Sequence, residues 1–539
     1  MAGPLQNPFM FKSASGAGGF YTHQIASSLR NSVAQDGTLK FTAGTPSSST
    51  KMTMSYWVKK YTNSTNGADS NIFIAGTDGN NSISHHFDTG PEFWSLGQGG
   101  NWGGNYLVSN AKVRDTSAWY HVVWRYDSTQ GTAADRVRLY ANGKEVTSWR
   151  VSTMHGQVAE DEAFSYINAD GVVQSFGGIS GVGPHAAEGA DLQMAEIVFN
   201  DGQSYGPTSY GEFKNGVWIP KDPSGLTFGN NGYWLKMAAG AIGADSSGNS
   251  NNFTVANIAA HDVMLDSPTF GSEGSANFPA FSPLYYTQST NITDGNLDFR
   301  STGNIEGGLT NAVIPAGEST VYYFEAAVTP ASGGHEVYFG VNALNIDMSG
   351  SSERGGVDED TCWAIKLEPN QFAPVAGGTA GSNVSLTINT NDIVGMTVDR
   401  ANRTIKWYIN NTLKVTATDL YLTGDLAVWS GKGGGTTDCG IILNAGQDGT
   451  FAGTITAQGN ADGNDFGNFY YAPPSGAVAY CAGNLPVAEE IDPAETSDNF
   501  PQKLFNSLLY TGDGGTTQAQ TGLGFQPDFT WIKQRNGTA

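Results

Sequence analysis

Short stretches in which apolar and polar residues alternate with a period of two recur along the chain, bounded by Gly, Asn, Ser and Thr. This pattern predicts β-strands that bury one face. MTMSYWVKK at 52–60 and WYHVVWRYD at 119–127 alternate strictly, with IFIAG at 72–76 between them and MAEIVFND at 194–201 beyond. A second series comprises VYYFEAAV at 321–328, EVYFGVN at 336–342, CWAIKLE at 362–368 and IVGMTVD at 393–399. Each series contains a hairpin of one design. In DRVRLYANGKEV (135–146), Arg136, Arg138 and Tyr140 alternate with Val137 and Leu139, and Asn142-Gly143 supplies the positive φ angles of a type I′ turn. NRTIKWYINNTLKV (402–415) alternates Ile405, Trp407 and Ile409 and turns at Asn410-Asn411. Asn tolerates left-handed φ less freely than Gly but better than other residues. Two such hairpins so far apart predict two separate antiparallel β-sandwiches.

Composition supports an all-β chain and removes several functional classes. A chain of 539 residues has room for roughly three or four domains. With 71 Gly and only 14% charged residues, helical bundles are disfavoured and short strands with many turns are favoured. Its 27 basic and 50 acidic residues give a net charge of −23, which repels polyanions, so no nucleic-acid partner is expected. Cys362, Cys439 and Cys481 are an odd set without CxxC spacing and are read as buried thiols, not a disulfide framework or a zinc site. MAGPLQNPFMFKSASGAGGFY lacks the basic and apolar regions of a signal peptide, and no apolar run of about 18 residues exists to insert in a membrane. Synthesis in a cytoplasm follows as the expectation, and Asn291-Ile292-Thr293 and Asn383-Val384-Ser385 are then chance matches to a glycosylation sequon.

The tryptophan-bearing SYWVKK strand, the WYHVVWRYD strand feeding the RLYANGKEV hairpin, and the closing MAEIVFND strand together resemble the laminin-G-like, concanavalin A-type jelly roll. The succession VYYFEAAV, YFGVN, VGMTVD and IKWYINN is similar to a SPRY-type sandwich, with Asn411 where that hairpin usually carries Gly, so the family's ligand-specifying loops are not carried over. Composition shifts at DSSGNSNN (245–252) and in the acidic VAEEIDPAETSDN (487–499). The expected organisation is an N-terminal attachment segment at 1–30, a concanavalin A-like sandwich at 31–237, an extended linker at 238–285, a SPRY-like sandwich at 286–484, an acidic linker at 485–501, and the beginning of a third β-module at 502–539. In the last of these, Phe529 to Ile532 reads as a strand, and Arg535 to Thr538 as a turn with no returning strand. Either another chain completes that module or the 539 residues are a fragment of a longer protein.

The opening NPFMFKSASG, the YWVKK strand, AEIVFNDGQSYGPTSYGE, DSSGNSNNFTVANIAAHDVMLDSP and the closing GLGFQPDFTWIK together resemble tail-fibre-like structural proteins of marine bacteriophages. That resemblance implies a virion protein displayed in several copies, with other virion proteins as partners and a host-surface glycan as a candidate ligand. It also implies a homo-oligomer; trimers are common among fibres, although no coiled-coil heptads support one here. Tail and capsid placement both stay open, as do an architectural decorating role and a polysaccharide depolymerase.

Candidate chemistry is sparse, and no enzymatic role is expected. Glu490-Ile491-Asp492-Pro493-Ala494-Glu495 has the E-x-D-x-x-E spacing of concanavalin-type glycoside hydrolases, which need paired carboxyls. Pro493 breaks a strand there, and the surrounding acidic run reads as a solvated linker. His85-His86 with Asp88 falls on a strand that turns neighbours to opposite faces, so a surface pair is expected and not a metal site. Asp245, Asn249 and Asn251 are oxygen donors suited to calcium, yet the Gly is not at the sixth position of an EF-hand loop, and an Asx turn is the simpler reading. Otherwise no cofactor is expected. SGKGGGTT (430–437) lacks phosphate-loop spacing. FWSLGQGGNWGGNYL (93–107) places Trp94, Trp102 and Tyr106 among glycines, with Asn101 and Asn105 able to bond hydroxyls, and so forms a candidate glycan-stacking loop. Its aromatics could instead fill the sandwich while the glycines make turns.

Overall fold

Each alternating strand can hide its apolar side only when a second sheet closes over it, and the chain meets that requirement twice. The structure is a computed structural model and describes residues 20–485 and 505–533, apart from 33–34, 62–69, 79–80, 89–92, 99–104, 178–190, 215, 272–273, 287–291, 302–305, 331–334, 345, 347–359, 419–423 and 435–436. Among the described residues the protein is all-β, with two consecutive sandwiches, each built from two 8-stranded sheets. Among the described strands pairing is antiparallel except where Ala477–Ala479 runs parallel to Val321–Thr329.

The first sheet of the first sandwich runs in the order Lys144–Glu145, Val137–Ala141, Tyr120–Asp127, Lys51–Lys60, Leu192–Asp201, Ser28–Asn31 and Val263–Met264, with Tyr233–Leu235 also on Leu192–Asp201. The facing sheet runs Trp149–Val151, Tyr106–Lys112, Phe93–Gln98, Asn81–Asp88, Ser70–Asp78, Val173–Gly177, Thr38–Thr42 and Thr254–Ala256. Met52, Met54, Tyr56 and Val58 point inward with Trp124 and Tyr126 and meet Phe73, Leu96 and Phe176 of the second sheet. The odd positions Thr53, Ser55, Trp57 and Lys59 therefore point outward. Glu196, at φ 45°, forms a bulge where the pairing register slips between Ala195 and Val198. The slip keeps Ile197 and Phe199 in the core and leaves Glu196 outside.

The second sandwich repeats the plan. Phe281–Tyr286, Glu306–Ile314, Leu426–Gly433, Glu336–Ala343, Trp363–Glu368, Gln371–Ala376 and Thr379–Ala380 form one sheet, and Ile292–Thr293, Asp298–Ser301, Cys439–Asn444, Val321–Thr329, Ile393–Asp399, Thr404–Ile409 and Thr412–Thr418 the other. Trp407 fills the centre, and its indole N–H donates to the Phe339 carbonyl at 3.1 Å. The three cysteines are buried and form no disulfide.

Both hairpins turn as expected, with φ 46° and 76° at Asn142-Gly143 and 46° and 62° at Asn410-Asn411. The structure also explains why Asn leads each turn. Asn142 N donates to the His121 carbonyl, and its Oδ1 accepts from His121 N, both at 2.8 Å; Asn410 makes the same pair of bonds to Ile393, at 2.8 and 3.0 Å. The side chain thus adds a rung to the neighbouring ladder. At the first turn Gly143 lies under Trp218, and a Cβ there would stand 2.3 Å from the ring. Gly143→Ala is therefore expected to cost about 2 kcal/mol, from left-handed φ and the clash together. Urea unfolding checks this: an unchanged midpoint would mean that the ring yields freely.

Four expectations are corrected. Residues 238–285 are no free linker. Thr254–Ala256 and Val263–Met264 add strands to the two sheets of the first sandwich, Phe281–Tyr286 starts the second, and Phe270, Ala276 and Phe278 are buried between them. The segment looks like a linker in sequence because much of its backbone is bonded by side chains and not by a ladder. The attachment segment 1–30 is described only from residue 20, where Phe20 and Tyr21 join the same buried cluster and Ser28–Asn31 pairs in the sheet. Phe529 to Ile532 form no strand; residues 505–533 carry no ladder, and Phe529 is 84% and Trp531 82% exposed. A lone strand without a partner has no bonds to form one. Finally, His85 and His86 are both buried.

Candidate functional site

The outward face of the strand Lys51–Lys60 gathers most of the unusual chemistry of the first sandwich. Ser55 Oγ is 2.8 Å from His121 Nε2, which resembles a nucleophile and its base. Trp218 excludes that role. An indole N–H can only donate, and it reaches His121 Nδ1 at 3.0 Å, so the ring proton sits on Nε2 and points at Ser55. Burial pulls this imidazole down to about 3, so the ring stays neutral in the tautomer that cannot take the serine proton.

Beside it, the bulge aims Glu196 at His23, with Nε2 to Oε1 at 2.6 Å, and Trp234 Nε1 donates to the same oxygen at 3.2 Å. Lys236 covers the other side of Trp234, 4.0 Å from the ring centroid. For His23, burial lowers the imidazole, but the bond to Glu196, that carboxylate's charge and Asp222 leave it net above its ordinary value. The cleft lined by Ser55, Trp57, His121, Glu196, Tyr210 and Lys221 holds about one water. Tyr210, Lys221 and Pro223 wall this cleft, which is too small for a sugar.

The expected stacking loop loses Trp94. Trp94 is 2% exposed and packs in the core against Phe87 and Tyr120, because the strand Phe93–Gln98 alternates and turns it inward. Asn101 and Trp102 lie outside the described residues. Asn105 and Tyr106 are half-buried at the start of the next strand, with Tyr106 N donating to Thr153 Oγ1. Asp245 accepts from the backbone of Trp234, Ser247 and Asn251 and from the Ser247 hydroxyl, at 2.7–2.9 Å. Asn249 and Asn251 turn their amide N–H groups toward the carbonyls of Gly229, Asn230 and Gly232. The three residues build a turn, and the Asp245 carboxylate is directed at donors of its own chain. His85 stacks on Trp124, with Nε2 2.6 Å from Tyr126 Oη, whereas His86 lies on the opposite face beside Ser84, so the pair cannot share an ion. The E-x-D-x-x-E run lies outside the described residues.

In the second sandwich, the outward face of Glu336–Ala343 and Leu426–Gly433 carries Tyr338 and Trp429, with ring centroids 6.0 Å apart. Tyr338 donates to Glu336, and Lys366 stands between Glu336 at 3.4 Å and Glu368 at 3.0 Å. Both carboxylates are committed to one ammonium, unlike the separate acid and nucleophile of a glycosidase. On the sheet opposite, Glu325 accepts from Tyr470 N and Tyr471 N at 2.8 Å, from Tyr323 Oη at 3.0 Å and from Asn444 Nδ2 at 3.4 Å. Burial still outweighs these donors and pushes the carboxyl up to about 7. Asp298 is likewise pushed up, to about 6, by burial.

A raised carboxyl binds its proton more tightly in the native state, so its contribution is fully present below the unfolded value and is lost as pH rises through about 7. Unfolding free energy is expected to fall by about 3 kcal/mol between mildly acidic and mildly alkaline pH. Denaturation across that range checks it. An equally steep profile in Glu325→Gln would assign the slope to other groups.

Sequence reasoning missed the buried charges Arg30, Lys59, Glu196 and Asp266. A faint signal existed: Lys59 continues the outward row of a strictly alternating strand, and Asp266 interrupts the apolar VML…TF.

Residues 33–179 match the family described as the Concanavalin A-like lectin/glucanases superfamily, and residues 500–539 match a domain of unknown function. No curated protein matches the chain. Solved structures with similarity include the SPRY domain of human HERC1 (13% identity, covering 30% of this chain and 97% of that one, TM-score 0.23) and the TRIM65 PSpry domain (12%, 31% and 88%, TM-score 0.24). A heptameric SAP-like pentraxin from Limulus polyphemus is also similar (16%, 33% and 77%, TM-score 0.23). The first sandwich of this all-β chain is thus similar, over residues 33–179, to concanavalin A-like lectin and glucanase domains.

Proposed function

We propose that the chain is a structural protein of a bacteriophage virion, a tail fibre or similar appendage, whose lectin-like sandwiches serve attachment to the host surface. The observation that carries this reading is the concanavalin A-like match in a module locked by buried ionic contacts to a second sandwich, a plan suited to holding binding surfaces in fixed relation. The role in this reading is non-enzymatic, and among the described residues Ser55 with His121 and Glu336 with Glu368, which resemble catalytic pairs, are tied up in internal bonds. An architectural role without receptor binding is the second reading, favoured by the exposed Phe505, Leu509, Phe529, Trp531 and Ile532, which suit contact with other chains.

Gold-labelled antibody against the full chain, viewed on intact particles by electron microscopy, is expected to mark the virion. Purified chain is expected to bind host cells or an array of their envelope glycans, less so as Trp102→Ala with the fold intact. Labelling without glycan or cell binding selects the architectural reading, and absence of label from every particle overturns both.

A further inference from the structure

Lys59 ends the outward row of its strand, and its amine is 1% exposed. Nζ lies 2.7 Å from Asp266 Oδ2, 2.8 Å from Asn277 Oδ1 and 3.4 Å from the Phe278 carbonyl. Asn277, also 1% exposed, donates its Nδ2 to the Ser117 carbonyl at 3.1 Å. Its amide is thereby turned with oxygen toward the lysine and nitrogen away. Asp266 Oδ1 accepts from Trp119 Nε1 and Phe278 N, each at 3.4 Å. The amine touches both the carboxamide and the carboxyl, away from water, at a joint between the first sandwich and the connecting segment.

The amide oxygen and the Phe278 carbonyl complete the three acceptors an ammonium can use here, and they also set the amide carbon beside the amine. Burial holds Asp266 above the ordinary carboxylate range, and its Oδ2, 2.7 Å from Nζ, is the acceptor placed to take a proton and leave a neutral amine. The neutral amine has a free lone pair and an electrophilic carbon held next to it.

We propose that Lys59 and Asn277 are joined by an intramolecular isopeptide bond formed with Asp266 as proton carrier. Lys59 gives one proton to Asp266, and Nζ then attacks Cγ of Asn277, so that the Nζ–Cγ bond forms and the carbonyl electrons move to oxygen. Asp266 takes a second proton from Nζ and delivers one to Nδ2. The carbonyl re-forms, the Cγ–Nδ2 bond breaks, and ammonia leaves; Asp266 ends as the neutral acid. Nothing is oxidised or reduced, and no further reactant enters. The bond closes the chain between positions 59 and 277 and fixes the connecting segment to the first sandwich.

High-resolution mass spectrometry of the unfolded full-length protein tests this. The expected mass is that of the sequence less one ammonia, and a digest is expected to yield the peptide containing Lys59 joined to the peptide containing Asn277. Lys59→Arg and Asp266→Asn, checked for folding by circular dichroism, are expected to show neither. The unmodified protein decides the matter even if a variant fails to fold. A full sequence mass overturns the proposal, as does ammonia loss without the joined peptide, the result a succinimide elsewhere would give. A joined peptide that persists in Asp266→Asn overturns the role of the carboxyl.

Discussion

Replacing Arg30 with alanine is expected to cost about 3–5 kcal/mol and to split one unfolding transition into two. The guanidinium is 2% exposed and lies 3.4 Å from Asp262 and 3.3 Å from Asp448, with the carbonyls of His261 and Asp294 each at 3.4 Å. These partners come from the connecting segment and the second sandwich, whereas Arg30 belongs to the first. Its removal strands two carboxylates away from water, and a buried charge without a counter-charge costs more than the intact pair contributes. Asp448 keeps its bonds to Thr450 and Ala452, so the loop it organises should survive and the loss should fall on the joint. Calorimetry and urea unfolding of the full chain check this. A single transition with a small shift would mean that the apolar contacts of Phe270 and Phe278 hold the sandwiches together without the ions.

The second large effect is expected at Asp201, which is fully buried at the end of its strand. Its carboxylate accepts from Ser47 N at 2.6 Å, Ser48 N at 3.2 Å, Asn231 N at 3.1 Å and Asn168 Nδ2 at 2.7 Å. Three separate loops are therefore pinned to one side chain. Asp201→Ala is expected to lower stability by about 3–4 kcal/mol, since each buried donor left without an acceptor costs roughly 1–3 kcal/mol and some will find water. Asp201→Asn, which keeps the shape and one strong acceptor, should cost less. Hydrogen exchange localises the effect: faster exchange is expected at Ser47, Ser48 and Asn231. Unchanged protection there, with the same global loss, would show that the loops are held by other contacts.

The strands were legible because period-two alternation reports burial of one face directly. MTMSYWVKK, expected at 52–60, is the strand Lys51–Lys60, and VYYFEAAV, expected at 321–328, is Val321–Thr329. Turn type was legible for the same local reason, since Asn142-Gly143 can satisfy positive φ. What failed was everything decided between distant segments. Trp94 was placed on an open loop because its glycine neighbours suggested exposure, yet strand parity turns it inward. The connecting segment reads as a linker because DSSGNSNN shows no alternation, whereas Asp245, Asn249 and Asn251 bond backbone groups in place of a ladder. Lys59, Asp266 and Asn277 meet across more than two hundred positions, and no local pattern brings them together.

The connecting segment also bears on crowding. Thr254–Ala256 and Val263–Met264 occupy the outermost positions of the two sheets of the first sandwich, and Phe281–Tyr286 occupies an outermost position in the second. One stretch of chain therefore supplies the edge strand at three sheet borders, of three, two and six residues. At the far borders stand the two-residue strands Lys144–Glu145 and Thr379–Ala380, too short to template a long pairing. Where many copies are concentrated side by side, edges of two or three residues give a neighbouring molecule little length along which to zip into a shared sheet.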